Sequence, residues 1–315
     1  MKKLIVGVLV TLMLMLSFGC SSEEITPPTS VTPDKTEQST PALVPTPEQT
    51  TEPAPAPEAE PEPEVEEVAI EEVEIYNENN IVVTATKIEE DWMGCGIAVT
   101  VKNGSSKNII VSTDMLSVNG YMMDGGMYCD VAAGKNAMDS ISLYSSGLDQ
   151  AGIDTIAEVE FYLNVINGDT FETVDVSDLI KISTTAADGF EQPVDDSGDE
   201  IYNANDVRVV CKGIKDEIIW DGAVVFYFEN NSSRSVSIYS ENVSVNDFMA
   251  EVSLWEDMRP GTKAVDGMYM YDLASLGIET IDDIDKVELS IRIVDEGNWE
   301  EIGTSDPIVL EFTAE

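Results

Sequence analysis

Residues 97–106 read IAVTVKNGSS, an alternating apolar run that ends in four turn-forming residues. In an extended chain the side chains at 97, 99 and 101 share one face, and those at 98, 100 and 102 share the other. Period-2 runs separated by Asn, Gly, Asp and Ser predict antiparallel strands with two different faces. Comparable runs lie before and after this segment, so strands are expected throughout the folded part of the chain.

The segment belongs to a unit that occurs twice. Asn103-Gly104-Ser105-Ser106-Lys107 returns as Asn230-Asn231-Ser232-Ser233-Arg234, 127 positions later. Further blocks return in the same order at nearly the same offset: Glu74–Asn77 as Glu200–Asn203, Ser117–Asn119 as Ser244–Asn246, Gly152–Ile156 as Gly277–Ile281, and Phe171 and Asp178 as Trp299 and Asp306. The preserved order indicates a tandem duplication of a unit of about 110 residues.

About seven β-rich runs in each unit predict an all-β fold with two tandem immunoglobulin-like β-sandwich domains. We place the first repeat at residues 74–185, a polar linker at 186–199 and the second repeat at 200–315. Separate strands are expected at 109–112 and 115–119. Short helical turns are expected before Gly152 and Gly277, with Asp272 as the cap of Leu273–Leu276 and Gly277 as a left-handed stop.

The N-terminus has the features of a bacterial export signal. Lys2 and Lys3 precede an apolar run, Leu4–Leu16, that is too short to span a bilayer comfortably. Gly19-Cys20 resembles the lipobox of bacterial lipoproteins, although Ser17 stands where that family usually has Leu. The resemblance implies cleavage of residues 1–19, acylation of Cys20, and anchoring to the outer face of the bacterial cell membrane. The alternatives are a plain secretory signal with an incidental cysteine, or an uncleaved anchor.

Residues 20–73 have the composition of a disordered stalk behind the predicted anchor. Eleven of the 14 prolines lie between Pro27 and Pro63, interleaved with Thr, Glu and Ala. Such a segment cannot bury enough apolar surface to offset chain entropy, so it should stay extended, with polyproline II bias. The stalk would hold the folded repeats away from the membrane.

The overall composition excludes several classes of function. Sixteen Lys and Arg against 61 Asp and Glu give a formal charge of −45, and the chain contains no histidine. Nucleic-acid binding needs a basic footprint that this chain lacks. Without histidine there is no Ser-His or Cys-His nucleophile pair, so we assign no catalytic residue, no cofactor and no enzyme activity. The alternatives to a binding module are a carbohydrate-binding accessory protein or a hydrolase that uses a carboxylate pair, and a structural spacer with no specific ligand.

Both repeats resemble the telokin-like immunoglobulin-fold domains that bacterial lipoproteins carry behind a low-complexity linker. Three motifs carry the resemblance: an alternating run that ends in Asn-x-Ser, then a Ser-Val-Asn run, then a Gly-Lys element. In the first repeat these motifs are Val99–Ser105, Ser117–Gly120 and Gly134-Lys135. In the second repeat they are Val225–Ser232, Ser244–Asn246 and Gly261-Thr262-Lys263. The resemblance implies a non-enzymatic surface domain.

Three cysteines remain besides Cys20. Cys95 and Cys129 both lie in the first repeat, and an oxidising, extracytoplasmic setting would permit a disulfide between them, with two separate thiols as the alternative. Cys211 shares the phase of Val207 and Val209, so it is expected in the core.

Two further groups of residues are candidate binding positions. Asp195–Glu200 and Asp282–Asp285 are rich in the oxygen ligands that calcium prefers, but neither has EF-hand spacing, and a solvated acidic surface is the simpler interpretation; we assign no metal site. Trp92 and Trp220 lie in equivalent hairpins, and Trp299 replaces Phe171. Exposed aromatic rings here would contact wall glycan or a protein partner, whereas buried ones would close the core.

Overall fold

The computed structural model describes residues 68–91, 94–216 and 222–312. The predicted signal peptide, Cys20, nearly all of the predicted stalk, Trp92 and Trp220 lie outside these ranges. Within them no helix is long and apolar enough to cross a membrane.

The first repeat consists of strands and one short helix. The elements are β1 (Val73–Glu78), β2 (Ile81–Asp91), β3 (Gly94–Asn103), β4 (Ile109–Val118), β5 (Tyr121–Met122), β6 (Gly125–Gly126), β7 (Tyr128–Val131), β8 (Asn136–Tyr144), α1 (Ser145–Gln150), β9 (Glu158–Asn167), β10 (Thr173–Val176) and β11 (Ile180–Ser183).

The second repeat has the same order of strands. They are β12 (Asp199–Ala204), β13 (Val207–Lys215), β14 (Gly222–Asn230), β15 (Val236–Val245), β16 (Phe248–Met249), β17 (Glu251–Ser253), β18 (Trp255–Met258), β19 (Lys263–Tyr271), β20 (Lys286–Asp295), β21 (Glu301–Thr304) and β22 (Ile308–Glu311), with 3₁₀ turns at Leu273–Leu276 and Ile281–Asp283. The prediction of an all-β chain is confirmed.

Three sheets contain these strands. One has the order β1-β2-β3-β8-β6, and another has β16-β15-β20-β21 with β18 beside β15 and β22 beside β20. The third sheet has 11 strands from both repeats. Eight of them follow the order β10-β9-β4-β5-β19-β14-β13-β12, and β11 lies beside β9, β7 beside β4 and β17 beside β19. The alternating side chains of the sheets fill two hydrophobic cores, each formed mainly by one repeat, and the first also includes Val210 and Tyr227 of the second repeat.

Strand β4 is one continuous strand where the sequence predicts two. A bulge lies between Asp114 and Ser117, and Met115 has a φ of 49° there. The second repeat has the same irregularity in β15, where Asn242 has a φ of 54°. A bulge leaves a residue unpaired without ending the strand, which a pattern based on alternation mistakes for a break.

The repeated Asn-x-Ser motif is a buried hydrogen-bonded turn. Asn103 is fully buried; its Nδ2 donates to the carbonyls of Lys107 (2.8 Å) and Val131 (3.0 Å), and its Oδ1 accepts from the Ser105 backbone N–H (3.0 Å). In the second repeat Asn230 donates to the carbonyls of Arg234 and Met258 and accepts from Ser232. The motif therefore joins strand ends that would otherwise leave buried polar groups unpaired.

The Ser-Val-Asn motif has an equally structural role. Asn119 Nδ2 donates to the Thr155 carbonyl (2.7 Å), and its Oδ1 accepts from the backbone N–H groups of Ala157 and Glu158. Asn246 makes the same three bonds around Asp283 and Lys286. The motifs that identify the repeat thus stabilise the fold.

The helical turns agree in part with the prediction. Helix α1 precedes Gly152, and Gly277 has a φ of 79° after Leu273–Leu276, so the left-handed stop is confirmed. Asp272 does not cap that turn with its side chain: its backbone is itself left-handed, and its carbonyl accepts from the Ser275 N–H (3.1 Å).

The two repeats are joined by a buried arginine. Arg259 is 4% exposed, and its guanidinium donates to the Met115 carbonyl (3.1 Å), to Ser117 Oγ and to Glu160 Oε2 (3.1 Å), all in the first repeat. Nearby, the Lys263 N–H donates to the Gly120 carbonyl (2.9 Å), where β5 and β19 pair in parallel. The described residues accordingly belong to one compact unit.

Candidate functional site

The outer face of the sheet that contains β15 carries a cross-strand row of large side chains. Trp255 and Arg292 are the register partners of Tyr239 on its two neighbouring strands. The Tyr239 and Trp255 rings stack with centroids 5.6 Å apart at 18°, and the Arg292 guanidinium lies 5.6 Å from the Tyr239 ring centroid. Both contacts lie within the range of favourable stacking and cation–π interactions.

A second tryptophan extends this row. The Trp299 ring lies edge-on to Trp255 with centroids 5.5 Å apart, and a positive φ of 63° at Trp299 in the β20–β21 turn brings it there. Trp255 is 51% exposed and Trp299 is 57% exposed. We call Tyr239, Trp255 and Trp299 the aromatic cluster. Because Trp299 is exposed, it does not close the hydrophobic core, which was one of the two alternatives for the aromatic residues.

Polar groups hold the aromatic cluster in place. Trp255 Nε1–H donates to Asp257 Oδ1 (2.9 Å), which also accepts from the Ser237 hydroxyl. Arg292 forms ion pairs with Glu241 (2.8 Å) and Glu301 (3.3 Å). The aromatic faces are therefore bordered by fixed hydrogen-bonding groups of both charges.

The first repeat has exposed aromatic residues at the equivalent positions. Tyr128 is the register partner of Ser112 on β4, as Trp255 is of Tyr239 on β15. Phe171 has a φ of 59° in the turn that corresponds to that of Trp299, and both Tyr128 and Phe171 are exposed. Each repeat thus presents two aromatic side chains on the same outer face, and the second adds the stacking tyrosine.

An acidic cleft of about 1000 Å³ lies beside the aromatic cluster, and Trp255 and Asp257 line both. It is built from both repeats, with the bulge of β4 and α1 on one side and β18 and β19 on the other. Its charged lining comprises Asp114, Asp124, Asp149, Glu256, Asp257, Asp266 and Lys215. The lining is therefore strongly anionic.

Two carboxyl groups of the acidic cleft hold their protons unusually tightly. Burial raises the pKa of Glu256 well above its ordinary range, with further contributions from Asp266, Asp124 and Asp257. Burial also raises the pKa of Asp266 to about 6, with a contribution from Asp124, while bonds from the Gly267 N–H and the Tyr269 hydroxyl and the charge of Lys215 lower it. The cleft therefore gains negative charge as the pH rises past about 6, where Asp266 loses its proton.

Asp266→Asn should stabilise the protein above about pH 6. The folded-state pKa of about 6 exceeds the ordinary value of 3.8, so the folded chain binds a proton more tightly than the unfolded chain. Ionising Asp266 therefore lowers the stability of the folded state. This loss of stability is absent at a pH below the ordinary pKa, grows as the pH rises and is complete at a pH above the folded-state pKa of about 6. We expect the free energy of unfolding to rise by about 1–2 kcal/mol at neutral pH and to change little near pH 4, as measured by urea denaturation.

The matched control for this substitution is Asp306→Asn, at an exposed residue between β21 and β22, neither of which lines the cleft. It should leave stability within about 0.5 kcal/mol of the parent at both pH values. An equal gain at pH 4 and pH 7 for Asp266→Asn would contradict the assignment, because titration could not then be the cause.

The predicted acidic clusters are occupied by protein cations and turns. Asp195 Oδ2 pairs with Lys212 (2.9 Å), and Arg208 pairs with both Asp196 (2.9 Å) and Glu200 (2.8 Å). Asp283 closes a capping box with Thr280. Across the ranges that the structure describes, no group of three or more Cys, Asp or Glu side chains has an arrangement that could hold a metal ion.

The cysteines of the first repeat lie at its core. Cys129 is buried, and Cys95 is partly buried against the same cluster. Burial, with a contribution from the Asp139 carboxylate, raises the pKa of the Cys129 thiol to about 11, which makes it a poor nucleophile at neutral pH. A disulfide between the two stays a prediction. Cys211 is buried in the second core, as its strand phase predicts.

Trp255 lies at the centre of the aromatic cluster but is not among the positions predicted from the sequence. The predicted positions Trp92 and Trp220 fall outside the described residues, and Trp299 was predicted only as the counterpart of Phe171. A signal was present: at the 127-residue offset Trp255 aligns with Tyr128, so both repeats carry a large aromatic residue there. Comparing the repeats for aromatic positions would have found it.

Comparisons with known proteins add no family. No protein-family model and no curated protein matches the chain. Among solved structures, the YadV chaperone matches over 71% of this chain and 98% of its own, with 11% identity and a TM-score of 0.22. A protein of unknown function from Porphyromonas gingivalis W83 matches over 74% of this chain and 92% of its own, with 9% identity and a TM-score of 0.19.

Proposed function

We propose that this chain is a lipid-anchored, extracytoplasmic binding module without enzymatic activity, in which two immunoglobulin-like β-sandwich domains display a glycan-binding surface. The aromatic cluster is the observation that carries this proposal. Exposed tryptophan rings stack on the apolar faces of sugar rings, and bordering charged groups hydrogen-bond to hydroxyls. The Pro-rich stalk and the acylated Cys20 would hold this surface at a distance from the membrane.

The duplication supports binding of a repeating polymer. Each repeat carries exposed aromatic residues on the same outer face, so one chain would offer two contact points to a long glycan. Two linked weak sites bind a polymer much more tightly than either does alone. The pair Tyr128 and Phe171 lacks the stacked third ring and would be the weaker of the two.

Alanine substitution of Trp255 and Trp299 together tests the proposal. We expect the double variant to lose about ten-fold or more of its affinity for a glycan identified on an array of wall polysaccharide fragments, because each stacked ring contributes on the order of 1 kcal/mol or more. Both side chains are more than half exposed, so the thermal unfolding temperature should change little.

Met138→Ala is the matched control for this experiment. Met138 is also exposed, but it lies on the sheet formed by β3 and β8, away from both aromatic positions. Its substitution should leave glycan affinity unchanged. If the array gives no glycan signal and the chain captures a protein partner only when Trp255 is present, the ligand is a protein and the glycan proposal is wrong.

The anchoring part of the proposal has its own test. Labelled palmitate should be incorporated into the chain expressed in bacteria, and Cys20→Ala should abolish that incorporation. Labelling that survives the substitution would refute the assignment of Cys20 as the acylated residue.

A carboxylate-pair glycoside hydrolase is the second candidate, and the acidic cleft is the observation that favours it. Glu256 and Asp266 combine raised pKa values with a position beside the aromatic cluster, as a general acid requires. Turnover of a bound glycan that is lost in Glu256→Gln would establish this activity. Binding without turnover supports the non-enzymatic module.

A further inference from the structure

The contact between the repeats includes a small hairpin of the first repeat. This docking hairpin, Asn119–Met122, turns back from β4, and Val118 and Tyr121 are register partners. Tyr121 is 2% exposed and packs in one hydrophobic cluster with Val210 and Tyr227, with Val265 against it. These three residues form a row across β13, β14 and β19 on the second repeat.

The second repeat has the same hairpin, and the apolar side chains at its tip are exposed. In this tip hairpin, Asn246–Met249, Val245 and Phe248 are register partners, so Phe248 stands where the first repeat has Tyr121. Phe248 is 57% exposed and Met249 is 70% exposed. The duplication has thus preserved an apolar tip that is buried in one repeat and exposed in the other.

The first repeat correspondingly keeps the surface that would receive such a tip. Thr84, Thr100 and Met138 are register partners across β2, β3 and β8, at the positions of Val210, Tyr227 and Val265. We call them the acceptor row. Met138 is 87% exposed and is the apolar member of the acceptor row.

Charge matches the tip hairpin to the acceptor row. Within the chain, uncharged Gly120 lies next to the register pair of Glu229 and Lys263, because its carbonyl accepts from the Lys263 N–H. On the tip hairpin, Asp247 stands at the position of Gly120. Beside the acceptor row, exposed Lys102 stands at the position of Glu229. Asp247 has an exposed ion pair with Lys286 (2.6 Å), and 79% of its side chain remains accessible.

From this correspondence we infer that copies of this chain associate head to tail, the tip hairpin of one copy docking on the acceptor row of the next as the docking hairpin does within the chain. Such an interface joins two different surfaces, so it can continue from copy to copy. Ser244 and Glu288, beside the tip hairpin, correspond to Ser117 and Glu160, which accept hydrogen bonds from Arg259 within the chain. On the acceptor side, however, the first repeat has Ala132 at the position of Arg259. The contact therefore lacks the buried arginine and should be reversible.

Sedimentation velocity of the full chain in detergent tests this inference. We expect the sedimentation coefficient to rise over about a hundred-fold range of concentration. Phe248→Asp should weaken association by about ten-fold or more, because it places a charge where an aromatic ring is buried. Lys102→Asp should also weaken it, and Lys102→Asp combined with Asp247→Lys should restore it.

A cross-linking experiment locates the contact. A mixture of Phe248→Cys and Met138→Cys chains should give a dimer with a short bis-maleimide, whereas Phe248→Cys mixed with Val309→Cys, an exposed position on another sheet, should not. A chain that stays monomeric in both experiments overturns the inference. So does a monomer whose binding to phospholipid vesicles depends on Phe248, since the tip would then serve a lipid surface. Neither result bears on glycan binding through Trp255.

Discussion

Arg259→Ala is expected to lower the free energy of unfolding by about 3 kcal/mol. The guanidinium is almost fully buried and is the donor in three hydrogen bonds to the first repeat. Removing it leaves the Glu160 carboxylate, which is 23% exposed, with only a longer contact to Lys181 (3.8 Å), and leaves the Ser117 hydroxyl and the Met115 carbonyl without this donor. Buried groups that lose a charged partner cost more than the original bond contributed.

The same substitution should also separate the unfolding of the two repeats. Each repeat has its own hydrophobic core, and Arg259 is the most extensive polar contact between them. Without it we expect calorimetry to resolve two transitions, and one transition for the parent protein, since coupling across a weakened interface no longer enforces cooperativity. Urea denaturation followed by tryptophan fluorescence gives the change in free energy.

Arg234→Ala provides the matched control. Arg234 is an exposed arginine of the same repeat whose side chain forms a single ion pair, with Asp295 at 3.4 Å. Exposed pairs contribute little, so its loss should change stability by less than about 0.5 kcal/mol. Equal effects of the two substitutions would mean that Arg259 does not hold the repeats together.

Much of the architecture could be predicted from the sequence because it depends on local patterns. Alternation at positions 97–102 follows directly from the two faces of a strand, and the same alternation placed Cys211 in the core. The repeated blocks were found because a shared turn requires the same residues twice, as at Asn103 and Asn230. Such features depend on a few neighbouring residues, and they are recognised from local patterns or from residues that both repeats share.

The candidate site could not be predicted in the same way because it depends on contacts between distant segments. The acidic cleft brings Asp124 and Glu256 to one lining because the repeats are joined, in part by Arg259, and no periodic pattern marks that arginine. Trp255 stacks on Tyr239 through strand pairing that follows from the register of β15 and β18. The bulges at Met115 and Asn242 likewise depend on pairing rather than on alternation.

Asn230→Ala is expected to cost about 2–4 kcal/mol of unfolding free energy. The side chain is fully buried, and its loss removes the donor from the Met258 and Arg234 carbonyls and the acceptor from the Ser232 N–H and hydroxyl. Asn103→Ala removes an almost identical set of bonds from the first repeat and should cost about as much. Differential scanning calorimetry measures both.

The comparison between the two asparagines distinguishes a local role from a shared one. Because each asparagine closes a turn within its own repeat, Asn103→Ala should lower the melting temperature of the first repeat in the Arg259→Ala background and leave that of the second unchanged. Asn230→Ala should do the reverse.

Ser232→Ala, which removes only the hydroxyl of the same turn, should cost about 1 kcal/mol. A loss for Asn230→Ala no larger than that for Ser232→Ala would mean that water replaces the missing amide, and the motif would then owe its duplication to something other than buried hydrogen bonds.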